Sequence, residues 1–515
     1  MFVLTTNIRL LEELTKASGS DRLFAELRPG KERHAVLAAA RKLGVAPVVT
    51  NAVMFANPED WGRHRLIAAI GSNTTLSNIP PIRLSPAEAW LKAEHELIRH
   101  FPDVPEAIER AGEIAERCRY RIPIGERTVA PRLADVADSL GRLRAFAYEG
   151  AARRYGGIIA PITRDRLEHE LAIIGQKHFA DYFLVVKDIV EHGPTHCGRG
   201  SVANSIVSYS LGITHVDPLA AGLLFERFLN PERKDPPDID LDFPWDDRDQ
   251  VLAYVFQRYP HPRAAMVANH NCFRLRGALR EVAKVHGRPA GEIREVTRRI
   301  PWFYEDQTLE DVIATHPNYA ELDLPPTWQK LAREAQPLVG VPRHVSLHPG
   351  GVVIVPDTLH DFVPTQPAAK TLDGYPGLTV PAVQFEKDGT EDAGLVKIDL
   401  LGNRSLAVIR DGIEMVKENT GVQLDYTSSD AGEDPATRRQ FATGQTMGVF
   451  YTESPASRLL CIKSAAEGSS CWCSTPASSA RRPTVSSGST SSDCTARRTS
   501  RSIPACATRS PRHSA

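Results

Sequence analysis

The heptapeptide Pro237-Asp238-Ile239-Asp240-Leu241-Asp242-Phe243 alternates acids with large apolar residues, a pattern that few structures accommodate. Successive side chains of a strand point to opposite faces, so the alternation predicts a strand with Ile239, Leu241 and Phe243 in a core. Asp238, Asp240 and Asp242 then share the other face. Three carboxylates so placed repel one another unless cations neutralise them. Hard divalent cations with oxygen ligands, Mg2+ above all, suit such a cluster. Taken alone, an Asp-x-Asp-x-Asp string also fits a calcium loop or a solvated acidic turn. The strand-forming flanks and the missing EF-hand glycine and glutamate weigh against both.

A second acid-bearing strand would complete the cluster. In Leu395-Val396-Lys397-Ile398-Asp399, Val396 and Ile398 face one way, as a core requires, and Lys397 and Asp399 the other, as a lined site requires. Two acids from one strand and one from a neighbour suffice for a two-metal centre. There, ions about 3.5–4 Å apart activate an attacking oxygen and stabilise a leaving one in phosphoryl transfer.

Gly198-Arg199-Gly200-Ser201, ahead of an apolar helix predicted over Ala203 to Leu211, has the chemistry of a phosphate cradle. Its glycines allow close backbone approach and its arginine adds a bidentate charge. It matches neither the Walker nor the dinucleotide pattern, and an ordinary helix-capping turn fits it equally well. His344 and His348 stand four apart, but Val345 occupies the place where a zinc helix needs glutamate. Pro349-Gly350 would also break a helix, so a substrate-contacting loop is expected rather than zinc. Residues 263–300 are expected to be helical and basic (Arg263, Arg274, Arg276, Arg280, Lys284, Arg288, Arg294, Arg298, Arg299), either a solvated face or a duplex-phosphate contact.

Elsewhere the chain reads as mixed α/β. Val45 to Thr50 and Gly350 to Val355 are expected as strands. Helices are expected to open at Ser85-Pro86, and over Glu106–Arg117, Arg166–Ile173 and Ser405–Glu418. The apolar run from Tyr182 to Val190 suits a buried helix or a strand. Hydrophobic content of 42% and charged content of 24% are those of a soluble globular chain with room for several domains. No run of eighteen apolar residues exists, so no membrane partner is expected. The N-terminus lacks a basic n-region, which predicts a cytoplasmic protein whose Cys118, Cys197 and Cys272 are reduced. The net charge of −1 neither indicates nor excludes nucleic acid.

From about Cys461 the composition shifts to Ser, Ala, Thr, Pro and Arg, with only Glu467 and Asp493 as acids and no leucine. Such a segment is expected to be disordered, because it cannot bury enough apolar surface to offset chain entropy. It reads as a low-complexity tail or as an out-of-frame product. The second is favoured because the switch falls in mid-pattern, soon after Gly448-Val449-Phe450-Tyr451-Thr452-Glu453-Ser454.

Five ordered blocks together resemble the bacterial DNA polymerase III alpha subunits, the C-family polymerases. They are Cys197–Ser205, Leu224–Arg233, Pro237–Phe243, His348–Ile354 and Gly394–Gly402. Ala203-Asn204-Ser205 and Pro236-Pro237 are similar to the error-prone branch. The resemblance implies a DNA-directed DNA polymerase that adds deoxynucleotides to a primer 3′ end, in replication or damage-tolerant synthesis. It makes Asp238, Asp240 and Asp399 the catalytic ligands of two Mg2+ ions. Gly198, Arg199, Gly200 and Ser201 would hold the incoming triphosphate, with Arg233 and Lys397 near it. The implied partners are primer-template DNA and deoxynucleoside triphosphates. The implied fold is mixed α/β, with a nucleotidyltransferase palm of the polymerase-beta type over 123–265 and 346–404. A helical thumb is expected over 266–345, the start of the fingers over 405–460, and the tail over 461–515.

Residues 1–122 resemble a partial PHP domain. Its last metal motif, Asn-Asp-x-His in the family, reads Thr50-Asn51-Ala52-Val53-Met54 here, so proofreading is not expected. Family members continue through the rest of the fingers, a sliding-clamp-binding region and a nucleic-acid-binding barrel, of which only the start of the fingers is expected here. The alternative expectation is therefore a truncated, catalytically incompetent chain that binds only metal, nucleotide or DNA.

Overall fold

The computed structural model describes residues 2–466 except 122–123, 134–136, 233–235, 301–307, 320–324, 429–433 and 451. The expectations for Arg233 and for residues 467–515 lie outside the described residues.

The acidic heptapeptide forms a strand, as its alternation requires. Ten strands are described: β1 (Val3–Thr5), β2 (Leu23–Leu27), β3 (Ala46–Val49), β4 (Cys197–Arg199), β5 (Ile239–Pro244), β6 (Ala264–Cys272), β7 (Pro342–Ile354), β8 (Thr365–Pro367), β9 (Pro381–Val383) and β10 (Lys397–Asn403). The first three make a small parallel sheet. The other seven form one mixed sheet in the order β4-β5-β10-β7-β6-β9-β8.

One face of the large sheet is apolar. Ile239, Leu241, Phe243, Ile398 and Leu400 are buried with Leu143, Leu167, Phe183, Val186 and Leu252, which come from four covering helices. Those helices are Ser139–Arg154, Pro161–Gln176, Ala180–Glu191 and Arg248–Arg258. The run around Tyr182 is a helix because it is apolar on most sides and outlasts a strand, so most of it lies inside the core. A second core is built by helices between Leu275 and Ala335 around Trp328, with Leu66, Ala69 and Ile79 packed into it. A third lies between the small sheet and its helices, around Leu11, Leu23, Leu27 and Phe101.

Several local expectations are overturned. The basic segment 263–300 does not start as helix: Ala264–Cys272 is β6, paired with β7 and β9 in the sheet interior. Its Ala264-Ala265-Met266-Val267-Ala268 run is buried on both faces and has no periodicity to announce a strand. The expected loop at Arg343–Gly351 belongs to the thirteen-residue β7, whose first half forms a ribbon with β6, Ser346 opposite Asn269. The expected helix Ala203–Leu211 is a 3-10 turn at Gly200–Asn204 and a short helix at Ile206–Ser210, because Ser205 caps Ser208 N–H in mid-run. No helix starts at Ser85. The Asn51 amide donates to the carbonyls of Glu88 and Trp90 and holds that segment as a turn, with helix beginning at Glu94. Helix Pro455–Ala466 runs past Cys461, where the tail was expected to begin.

Candidate metal centre

Parallel pairing of β5 with β10 sets Asp240 opposite Asp399. Antiparallel neighbours extend that row to Arg199 of β4 and Gly351 of β7. The acids therefore lie on the sheet face opposite the apolar core. Ligand oxygens of Asp238, Asp240 and Asp399 all fall within 4.8 Å of one another, the one such group among the described residues. Burial, and then the neighbouring Asp238, push the Asp240 carboxyl up to about 6.

Two cations touch the cluster. Lys397, with 3% of its side chain exposed, places Nζ 2.5 Å from Asp399 Oδ2 and 3.4 Å from Asp238 Oδ1. Burial works against its charge, but Asp238 and Asp399 outweigh it and raise the ammonium pKa. Arg199 sets Nη1 3.2 Å from Asp240 Oδ2 and Nε 3.2 Å from Asp242 Oδ1. The other Asp242 oxygen accepts from Asn403 Nδ2 at 3.1 Å. Alternation groups Asp238, Asp240 and Asp242 on one face, but Asp242 is committed to Arg199 and Asn403 and stands outside the cluster.

Asp399 Oδ1 is buried without a hydrogen-bond partner. His348 Nδ1 is 3.5 Å from it, yet that nitrogen accepts the Gly351 N–H at 2.8 Å and the Gly350 N–H at 3.3 Å. A nitrogen whose lone pair is so used cannot donate to a carboxylate. Burial also lowers the His348 pKa, which keeps the ring neutral. An orphaned carboxylate oxygen beside two further acids is the donor set that a hard divalent cation completes. The residues present fit a metal.

The Gly198–Ser201 segment borders the same acids. A Cβ on Gly198 would lie 2.2 Å from the Ile213 carbonyl oxygen, so glycine is needed for the close approach of these two chains. Gly200 has φ +75°, and a Cβ there would lie 3.8 Å from Asp240 Oδ2. Ser201 Oγ donates to the Asp238 carbonyl at 3.2 Å. Behind the segment stands Glu170, fully buried, which accepts from Arg166 Nε, Ser205 Oγ, Ile206 N and Val207 N. Sequence reasoning missed this anchor. Its only trace is a glutamate four residues after Arg166 on the helix face of Leu167, Leu171 and Ile174.

Among the basic residues after β5, Arg280 and Arg343 bind Glu281, and Arg298 and Arg299 bind Glu295. His344 is exposed on the β6–β7 ribbon. No helix among the described residues is long and apolar enough to cross a membrane.

Residues 141–402 match the family model described as the bacterial DNA polymerase III alpha NTPase domain. The chain is similar to an error-prone DNA polymerase of Symbiobacterium thermophilum, 36% identical over 448 residues, covering 85% of this chain and 40% of the relative. A similar protein of Nocardia farcinica is 35% identical over 462 residues, 87% of this chain and 38% of its own. One of Mycolicibacterium paratuberculosis is 36% identical over 472 residues, 87% of this chain and 40% of its own. The chain thus spans about two fifths of the length of these relatives.

Proposed function

Because this chain belongs to the bacterial DNA polymerase III alpha family, we propose that its large sheet is a nucleotidyltransferase palm that extends a primer 3′ end with deoxynucleotides. The relatives named error-prone favour damage-tolerant synthesis. The observation that carries the reading is the unpartnered Asp399 Oδ1 within a three-aspartate cluster on adjacent parallel strands. Asp238, Asp240 and Asp399 would hold two Mg2+ ions. The chemistry that such ions supply when bound is activation of the attacking hydroxyl and stabilisation of the leaving oxygen.

The chain's own residues do the rest. Lys397 holds the Asp238 and Asp399 carboxylates in place and offsets their repulsion. Arg199, with the backbone of Gly198, Gly200 and Ser201, receives the triphosphate, and Lys397 adds positive charge nearby. The helices within 266–345 serve as thumb on duplex phosphates, and the segment from residue 405 begins the fingers. The small N-terminal sheet is read as a PHP remnant, and the cytoplasm as the compartment.

The test is primer extension by the purified chain with Asp240→Ala as control, beside calorimetric titration of Mg2+. Extension that the substitution abolishes supports the proposal; a wild-type chain that binds no Mg2+ sinks it. Mg2+ binding without extension would favour the second reading, a chain that binds metal, nucleotide or DNA without turnover. One feature favours that reading. Helix Arg404–Thr420 buries only Leu406 and Ala407, and leaves Val408 71% and Met415 60% exposed in the segment assigned to the fingers.

A further inference from the structure

The backbone that leads into the Gly198–Ser201 segment is held by a residue 230 positions away. The Tyr426 hydroxyl accepts the His196 N–H at 3.1 Å and lies 3.1 Å from the Pro194 carbonyl oxygen and 3.3 Å from that of His196. It thus accepts one bond and has a carbonyl to donate to, which uses both capacities of a phenol. Its ring meets His215 edge-on at 5.4 Å, and His215 Nε2 is 3.0 Å from the His196 carbonyl oxygen. The His196 ring spans the Gly193 and Gly212 carbonyls at 2.8 and 2.7 Å. The residue just ahead of β4 is therefore fixed through its ring, its N–H and its carbonyl.

Tyr426 follows directly on a segment that begins at the acids. Asn403 donates to Asp242 and caps helix Arg404–Thr420 by accepting from Ser405 and Leu406 N–H. Two turns on, Arg410 binds Asp246 and Asp247, just beyond β5. Gly421 ends the helix in the left-handed conformation and turns the chain back toward His196. The 403–426 segment is pinned at Asp242, at Asp246/Asp247 and at His196. It closes a loop of contacts from Asp399 on β10, through the helix, to Arg199 on β4, which binds Asp240 and Asp242.

We propose that Tyr426 is a positioning residue for triphosphate binding: residues 403–426 act as a strap that sets the Gly198–Ser201 segment against the acids. The inference rests on the preceding assignment of that segment to the nucleotide. Tyr426 touches neither the aspartates nor the segment itself, so its effect is transmitted through the His196 backbone.

The experiment compares the wild-type chain with Tyr426→Phe, which keeps the ring on His215 and removes the hydroxyl. Three quantities are read: the Kd of Mg2+ alone, the Kd of Mg-dATP, and amide hydrogen exchange by mass spectrometry. The expected result is a Mg-dATP Kd raised about three- to tenfold, the scale of one net hydrogen bond, with Mg2+ affinity unchanged. Exchange should quicken in the peptide spanning His196 to Ser201 and stay unchanged in helix Ala180–Glu191. Faster exchange in both places would reduce Tyr426 to a general stability role and overturn the proposal. Unchanged exchange and unchanged affinity would overturn it as well. A wild-type chain that binds Mg2+ but no dATP would instead refute the nucleotide assignment, and the role of Tyr426 in it, even if local exchange quickened.

Discussion

Four aspartates and two cations share the β4–β5–β10 end of the sheet: Lys397 spans Asp238 and Asp399, and Arg199 spans Asp240 and Asp242. Lys397 and Asp399 are both buried, so removing the lysine charge leaves the Asp399 carboxylate without its ion-pair partner. Lys397→Met should destabilise the metal-free chain by about 3–5 kcal/mol, the cost of breaking a buried pair. Saturating Mg2+ should recover part of that, read as melting temperatures in chelator and in Mg2+; no difference between the two would argue against a metal at the site. Asp240 gives a pH signature. Its folded pKa of about 6 stands above its ordinary 3.8, so the protonated form is favoured by folding. That stabilisation is complete below 3.8 and is lost as pH rises through about 6. In chelator, chemical-denaturation midpoints should therefore fall between pH 4 and 6, and Asp240→Asn should flatten the slope. Over the same interval Mg2+ affinity should rise, as the proton leaves its ligand.

Strand β4 shows how an element carries the site. It has three residues, one strand neighbour, and a glycine whose missing side chain admits the Ile213 carbonyl. Gly198→Ala should displace β4 and cost about 1–3 kcal/mol, as overpacking does. Gly277→Ala, in a helix where an added Cβ meets nothing within 4 Å, should be neutral or stabilising by up to about 1 kcal/mol. Denaturant titration of the two variants checks the contrast, and equal effects would mean that the approach to Ile213 is not limiting. The neighbouring turn relies on Glu170, which gathers two backbone N–H groups, a hydroxyl and a guanidinium at the start of helix Ile206–Ser210.

At the scale of the molecule, the four apolar cores among the described residues are linked by segments that cross between them. Leu66, Ala69 and Ile79 come from the first hundred residues but pack with Leu279, Val282 and Trp328. Leu66→Ala should cost that cluster about 2–5 kcal/mol. Hydrogen exchange should quicken in helix Leu275–Val285 and remain unchanged in β5. Exchange that rose uniformly would show a single cooperative unit instead.

What the sequence determined by itself is local and periodic. Acids alternating with Ile239, Leu241 and Phe243 define a two-faced strand wherever that strand lies, and the same alternation picks out Asp399 and Lys397, the latter 159 residues beyond Asp238. The ordered motifs around them were sufficient for the family. Tertiary structure decided which acids meet. Register sets Asp240 beside Asp399, and Arg199 with Asn403 draws Asp242 away. It also made β6 a strand, divided the helix after Ser201, and brought Glu170 and Tyr426 to either side of the residues leading through β4. These features share one physical cause. Apart from the local Ser205 cap that divides the helix, each is settled by hydrogen bonds or burial between segments far apart in the chain, and such pairings outweigh the weaker conformational preferences that neighbouring residues encode.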